Sequence, residues 1–177
     1  MAAWRAAFLA VSLLCAGCGW QPLYKAGAGG AAGPAQRGLA QTNVALIPER
    51  NGQLLRLALQ DRFERFGLTE PHRYELSVSY GVVNDAVSIQ QDNTSTRARI
   101  TGSANWTLIA QTAQRTTLAS GYARVVSGYN VIENQYFAAD LESDNVQRQI
   151  AQLVADRITE QVATYFDRQQ TASAAAP

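Results

Sequence analysis

Few side chains in this sequence are of the types that carry covalent, acid–base or metal chemistry. Cys15 and Cys18 are its two cysteines, spaced C-x-x-C, and His72 is its one histidine. A redox pair of that spacing sits beside a βαβ pattern, and a structural zinc site needs a second Cys or His pair. The sequence supplies neither. His72 stands alone in Glu70-Pro71-His72, with no Gly-x-Ser-x-Gly elbow to supply a nucleophile. Asp140 and Asp144 form a carboxylate pair near a predicted helix start, where negative charge is favoured without catalysis. The glycine-rich run Lys25–Ala40 has no Gly-Lys-Ser/Thr after it and no strand before it, so it does not read as a phosphate loop. The expectation is a protein that is not an enzyme and holds no metal or organic cofactor.

The chemistry that remains is processing at Cys18. Arg5 stands beside the amino terminus, and Ala6–Ala16 is an apolar run. Crossing a bilayer takes about twenty residues, so this run is too short for a stable span and reads as a secretory signal. It ends in Cys15-Ala16-Gly17-Cys18 rather than an Ala-x-Ala site. Small residues before a cysteine are what a lipoprotein signal peptidase accepts. Residues 1–17 are therefore expected to be removed and Cys18 to be acylated as the new N-terminus. Leu14 is too bulky for Cys15 to be the modified residue. The covalent lipid on Cys18 would be the sole membrane attachment, holding firmly at roughly 0.8 kcal/mol per buried CH₂. Gly19 follows Cys18, where Asp would retain the protein in the inner membrane, so the expected place is the periplasmic face of the cell outer membrane.

The mature chain is one domain's worth of residues. Arg5 is the only charge in the signal, so the formal charge of +1 falls to neutral on cleavage. Nucleic-acid binding, which needs a basic excess, is not expected. Residues 18–40 read as a lipidated N-terminus and flexible tether, 41–169 as an α+β domain, and 170–177 as a disordered tail.

Within the domain, hydrophobic periodicity predicts a strand over Asn43–Ile47 stopped by Pro48. A helix over Gly52–Phe66 follows, with Leu55, Ala58, Leu59, Arg62, Phe63 and Phe66 on one face and Gly67 ending it. In the next strand Tyr74, Leu76, Val78, Tyr80 and Val82 alternate with polar residues. Another alternates Ala98, Ile100, Gly102, Ala104, Trp106 and Leu108 with Arg97, Arg99, Thr101, Ser103, Asn105 and Thr107. A turn about Gln91–Thr94 sets Tyr80 opposite Trp106 and Val78 opposite Leu108. An extra residue near Asn84-Asp85 then pairs Val87 with Ile100 and Ile89 with Ala98, which predicts a β-bulge there. A second turn near Thr112–Arg115 sets Leu118 opposite Leu108, Tyr122 opposite Ala104 and Val126 opposite Ile100. That register assigns Arg97 and Arg99 to the polar face and Arg124 to the opposite one. A final helix spans about Leu141–Arg168.

Three stretches resemble one family. CGWQPLY (Cys18–Tyr24), IPERNGQLLRLALQDRF (Ile47–Phe63) and ENQYFAADLESDNVQRQIAQLVADRI (Glu133–Ile158) are similar, in order and spacing, to the alphaproteobacterial LPS-assembly lipoproteins of the LptE family. The resemblance implies two helices packed on one face of a four-stranded mixed sheet, in the order β-α-β-β-β-α. It implies an outer-membrane lipoprotein that plugs and supports the LptD β-barrel translocon during lipopolysaccharide assembly. The polar face would then suit the barrel lumen, and Arg97 with Arg99 would contact lipopolysaccharide phosphate or the barrel wall. An ABC-transport auxiliary lipoprotein of a periplasmic lipid-trafficking system is the alternative at this point.

Overall fold

The computed structural model describes Tyr24 and residues 31–89, 95–130 and 136–175, with side chains described outside 86–97, 129–140 and 174–175. Its elements run α1 (Pro34–Ala40), β1 (Thr42–Val44), α2 (Glu49–Glu64), β2 (Tyr74–Ile89), β3 (Ser95–Ala110), β4 (Thr117–Asn130) and α3 (Tyr136–Ala175). The strands form one mixed sheet in the order β1-β2-β3-β4, with β1 parallel to β2 and the other pairs antiparallel.

The α+β class holds, but there are three helices, not two. The extra one, α1, lies inside the stretch expected to be tether. Pro34 opens it with a pre-set φ, and the Gln36 side chain accepts the Gly33 N–H at 3.0 Å. Ala35 and Leu39 are fully buried at helical spacing, and Gly38 lies so close to the Phe166 ring that a Cβ there would come within 2.3 Å of it. The Gly/Ala composition hid a short apolar stripe that α3 covers.

In α2, Leu55, Leu59 and Phe63 are buried, with Ala58 and Phe66 packed beside them. Gly67 follows at φ +61, the left-handed conformation that ends a helix at low cost to glycine. Helix α3 continues past Arg168 to Ala175, through the expected tail, because Gln169–Ala175 contains no helix breaker. Helices α2 and α3 run side by side in the same direction. Arg50 pairs with Asp144 through two bonds of 3.0 and 3.1 Å, and twelve residues on Arg62 pairs with Asp156 at 2.5 Å. The two rungs share one sequence offset, so they hold the helices in register.

The inward strand faces are as the alternation predicts for β2 and β3. Leu76, Val78, Ile100, Ala104, Trp106 and Leu108 are buried under the helices. The pairing differs by two residues. Val78 lies opposite Trp106, and Tyr80 opposite Ala104. A slip of two keeps every side chain on its face. The predicted bulge at Asn84-Asp85 is also displaced: register breaks between Ala86 and Ser88 and again between Ser88 and Ile89. Asn84 takes an inward position opposite Ile100 and is still exposed, so burial does not enforce the predicted register there. The Gln91–Thr94 turn lies outside the described residues.

Strand β4 departs by one residue, and one residue inverts a strand. Leu108 pairs with Ala119 while Ile109 pairs with Thr117, leaving Leu118 as the extra residue of a bulge. Ala119, Gly121, Ala123 and Val125 therefore face the helices, while Tyr122 and Val126 face out, about half exposed. The expected Tyr122–Ala104 and Val126–Ile100 pairs do not form. Trp106 supplies the reason. Its indole lies over Gly121, where a Cβ would come within 2.6 Å of the ring. The expected register would set Ser120 opposite Trp106, and its Cβ would meet the ring.

Trp106 is 4% exposed and its indole N–H donates to Gln161 Oε1 at 2.7 Å. Trp106→Ala is expected to cost about 3–5 kcal/mol in chemical denaturation of the soluble domain. A loss below about 1 kcal/mol would contradict the placement of this ring in the core.

Candidate functional site

With α1, α2 and α3 on one side, the other side of the sheet carries no layer among the described residues. Its side chains come from the odd positions of β2 and β3 and the even positions of β4. The register aligns them in rows across the strands: Asp85–Arg99–Gly128, Val83–Thr101–Val126, Gly81–Ser103–Arg124, Ser79–Asn105–Tyr122 and Ser77–Thr107–Ser120. Every one of these is exposed or half-buried except Thr101, which is 9% exposed between its two valine neighbours. The face predicted from Ser77, Ser79, Thr101, Ser103, Asn105 and Thr107 is therefore present. An apolar ridge from Val83, Val126 and Tyr122 crosses it; the register expected from the sequence puts Tyr122 and Val126 on the other side.

The charged residues sit at the two ends and on β4. Arg99 Nη2 lies 3.7 Å from Asp85 Oδ2, with both side chains about half exposed. At that distance, exposed, the pair contributes little to stability and leaves the guanidinium free to exchange partners. Arg97 belongs to β3 opposite Ser88 and Asn130, but its side chain lies outside the described residues, as does Cys18. Arg115 Nη2 donates to Glu75 Oε1 at 2.8 Å, at the opposite end of the sheet. Arg124 is on the same face as Arg99, opposite Ser103, and not on the helix side; the one-residue shift of β4 carries it across.

The arrangement is one of surfaces rather than a reactive centre. His72 is exposed at the rim of a cleft of about 450 Å³ between β1 and the loop after α2. Asp144 of the suspected carboxylate pair is bound to Arg50, which holds its carboxyl below the usual range. Tyr80, on the helix side, has its phenol pushed up to about 12 by burial, and its hydroxyl has no hydrogen-bond partner among the described residues. Burial likewise raises Tyr24 and Tyr165. These are packing effects. No group of three or more His, Cys, Asp or Glu side chains converges among the described residues. No described helix is long and apolar enough to cross a membrane.

The lipopolysaccharide-assembly family LptE matches residues 39–162, which run from the end of α1 through α2 and the whole sheet into α3. The chain belongs to this family. No curated protein sequence matches it. Among solved structures, a putative lipoprotein from Caulobacter crescentus CB15 superposes with a TM-score of 0.62 at 23% identity, over 77% of this chain and 98% of that one. Rare lipoprotein B from Shewanella oneidensis gives 0.56 at 10% identity, over 73% and 96%. A minor lipoprotein from Acinetobacter baumannii gives 0.53 at 13% identity, over 71% and 92%. At such identities these likenesses concern the fold. Membership of the LptE family makes this chain a lipopolysaccharide-assembly protein of the bacterial envelope.

Proposed function

We propose that the chain is an outer-membrane lipoprotein, acylated at Cys18, which plugs and supports an LptD-type β-barrel during delivery of lipopolysaccharide. The observation that carries this reading is the uncovered sheet face. A face of Ser, Thr and Asn with a narrow apolar ridge matches the polar interior of a large barrel better than it matches lipid or a dry protein core. Two layers, sheet and helices, need a lumen on the order of 20 Å across, the size class of plugged outer-membrane barrels of about 22 strands. The family match favours this over a transporter auxiliary.

Tyr24 fits the same picture. Its carbonyl accepts the Gln36 side-chain N–H at 3.4 Å and its ring packs on Phe66 at 5.7 Å. Cys18 is six residues upstream, so it can lie no more than about 20 Å from Tyr24, which packs just beyond the end of α2. That leash directs one end of the sheet, where β2 begins, toward the membrane and the β2–β3 hairpin tip away from it.

Pull-down through a C-terminal tag tests the reading. Wild type is expected to bring down an outer-membrane β-barrel, Ser79→Arg with Asn105→Arg to lose it while keeping the folded circular-dichroism spectrum, and Cys18→Ala to lose fatty-acid label. Recovery of an inner-membrane transporter instead, or undiminished label on Cys18→Ala, would contradict it.

Arg97 and Arg99 are proposed to meet lipid phosphate, for which guanidinium offers two parallel donors. Replacing both with Ala is expected to weaken binding of purified lipopolysaccharide at moderate salt. Equal binding by wild type and the double variant would remove them from that role.

A further inference from the structure

The sheet has two outer edges, and only one is guarded. Strand β1 has three residues, and the Val44 carbonyl accepts Arg56 Nε at 3.3 Å. Strand β4 has fourteen residues, no proline and one charged residue, Arg124, and it pairs only with β3 among the described residues. A long edge of this kind pairs with whatever strand reaches it unless something prevents that.

Which β4 groups face outward follows from two bonds at the foot of β3. Gln111 N–H donates to the Arg73 carbonyl at 2.8 Å, toward β2, and Ala110 N–H donates to the Thr116 carbonyl at 2.9 Å, toward β4. Backbone groups alternate sides along an antiparallel strand. Through the register Leu108–Ala119, the N–H and C=O groups of Ser120, Tyr122, Arg124, Val126 and Gly128 point away from β3. The contact at Tyr122 agrees: its carbonyl accepts Gln161 Nε2 at 3.1 Å and keeps a second lone pair. Beside this row, between β4 and α3, lies an open groove of about 630 Å³ with Trp106, Tyr165, Arg157 and Arg168 along it.

We propose that this edge takes an added strand: an extended, acidic segment of another protein that pairs with the backbone of Ser120–Gly128 and sets alternate side chains into the groove. Charge selects the partner. Arg124, Arg157 and Arg168 have no carboxylate within 4.0 Å among the described residues, and Glu160 is the one acid at the groove. Charge also disfavours a second copy. The antiparallel self-pairing centred on Ser120–Gly128 sets Arg124 opposite its own duplicate, and like charges directly opposite are destabilising. The inference concerns the sheet's edge and does not depend on what the uncovered face meets.

The test uses two synthetic peptides, six Val-Glu repeats and six Val-Lys repeats, with amide hydrogen exchange of the full domain as readout. The Val-Glu peptide is expected to slow exchange at Ser120, Tyr122, Arg124, Val126 and Gly128 by about tenfold or more, and Val-Lys is not. Val126→Pro removes an outward N–H without touching the β3 ladder and is expected to stay folded and lose the effect. Arg157→Glu with Arg168→Glu, both at the groove, is expected to invert the preference between the peptides, and it decides the matter if the proline variant does not fold. Slowing by neither peptide or equally by both would overturn the proposal. So would protection that rises with the protein's own concentration, which would assign the edge to a second copy.

Discussion

The structure depends on the contact between Trp106 and Gly121. The indole needs the space that a side chain would take on the neighbouring strand, and a Cβ at Gly121 would come within 2.6 Å of it. Gly121 must therefore lie directly opposite Trp106, and Leu118 becomes the extra residue of a bulge to allow it, still packed against the core. From that row outward every face of β4 is decided. Ala119 and Ala123 lie close under α3, while Tyr122, Arg124 and Val126 turn to the uncovered side. Gln161 then joins the parts, accepting the indole N–H and donating to the Tyr122 carbonyl. A single side chain of α3 thus reads both the core and the free edge.

One apolar face is all this sheet has, so all three helices must share it. Helix α3 is the long one, on the order of 60 Å for its 40 residues, and it covers β3, β4, α1 and α2 together. The rungs Arg50–Asp144 and Arg62–Asp156 are exposed on at least one side and contribute alignment more than stability. Tyr74, Tyr165 and Phe166 close the other end as a cluster of tilted rings, 5.0 and 5.4 Å apart. The cost of this economy is a sheet with one side open. In a lipopolysaccharide-assembly protein that open side is the natural place for a partner.

Much of this was legible in the sequence, and the failures share a cause. Periodicity placed α2, the core of α3, and the inward faces of β2 and β3, because Leu55, Leu59, Val78 and Leu108 are large and repeat cleanly. It failed where the buried residues are small. Ala35 and Gly38 in α1 looked like linker, and Gly121 and Ala123 lost to Tyr122 and Val126 as the inward set of β4. Composition ranks large side chains as core; packing against Trp106 and Phe166 required small ones. The polar half of the candidate site was therefore found from Ser77 to Thr107, while Tyr122, Val126 and Arg124 were placed on the wrong side. No local pattern marks a one-residue bulge, and the free edge of β4 exists only once strand order is known.

The central claim is that the uncovered sheet face, and not the helical layer, meets the barrel. Site-specific photo-crosslinking in intact envelopes measures this most directly, with the probe at Asn105 on that face and at Leu153, exposed on α3. The account predicts a strong adduct from Asn105 to an outer-membrane β-barrel and a weaker one, or none, from Leu153. An adduct from Leu153 with none from Asn105 would contradict it.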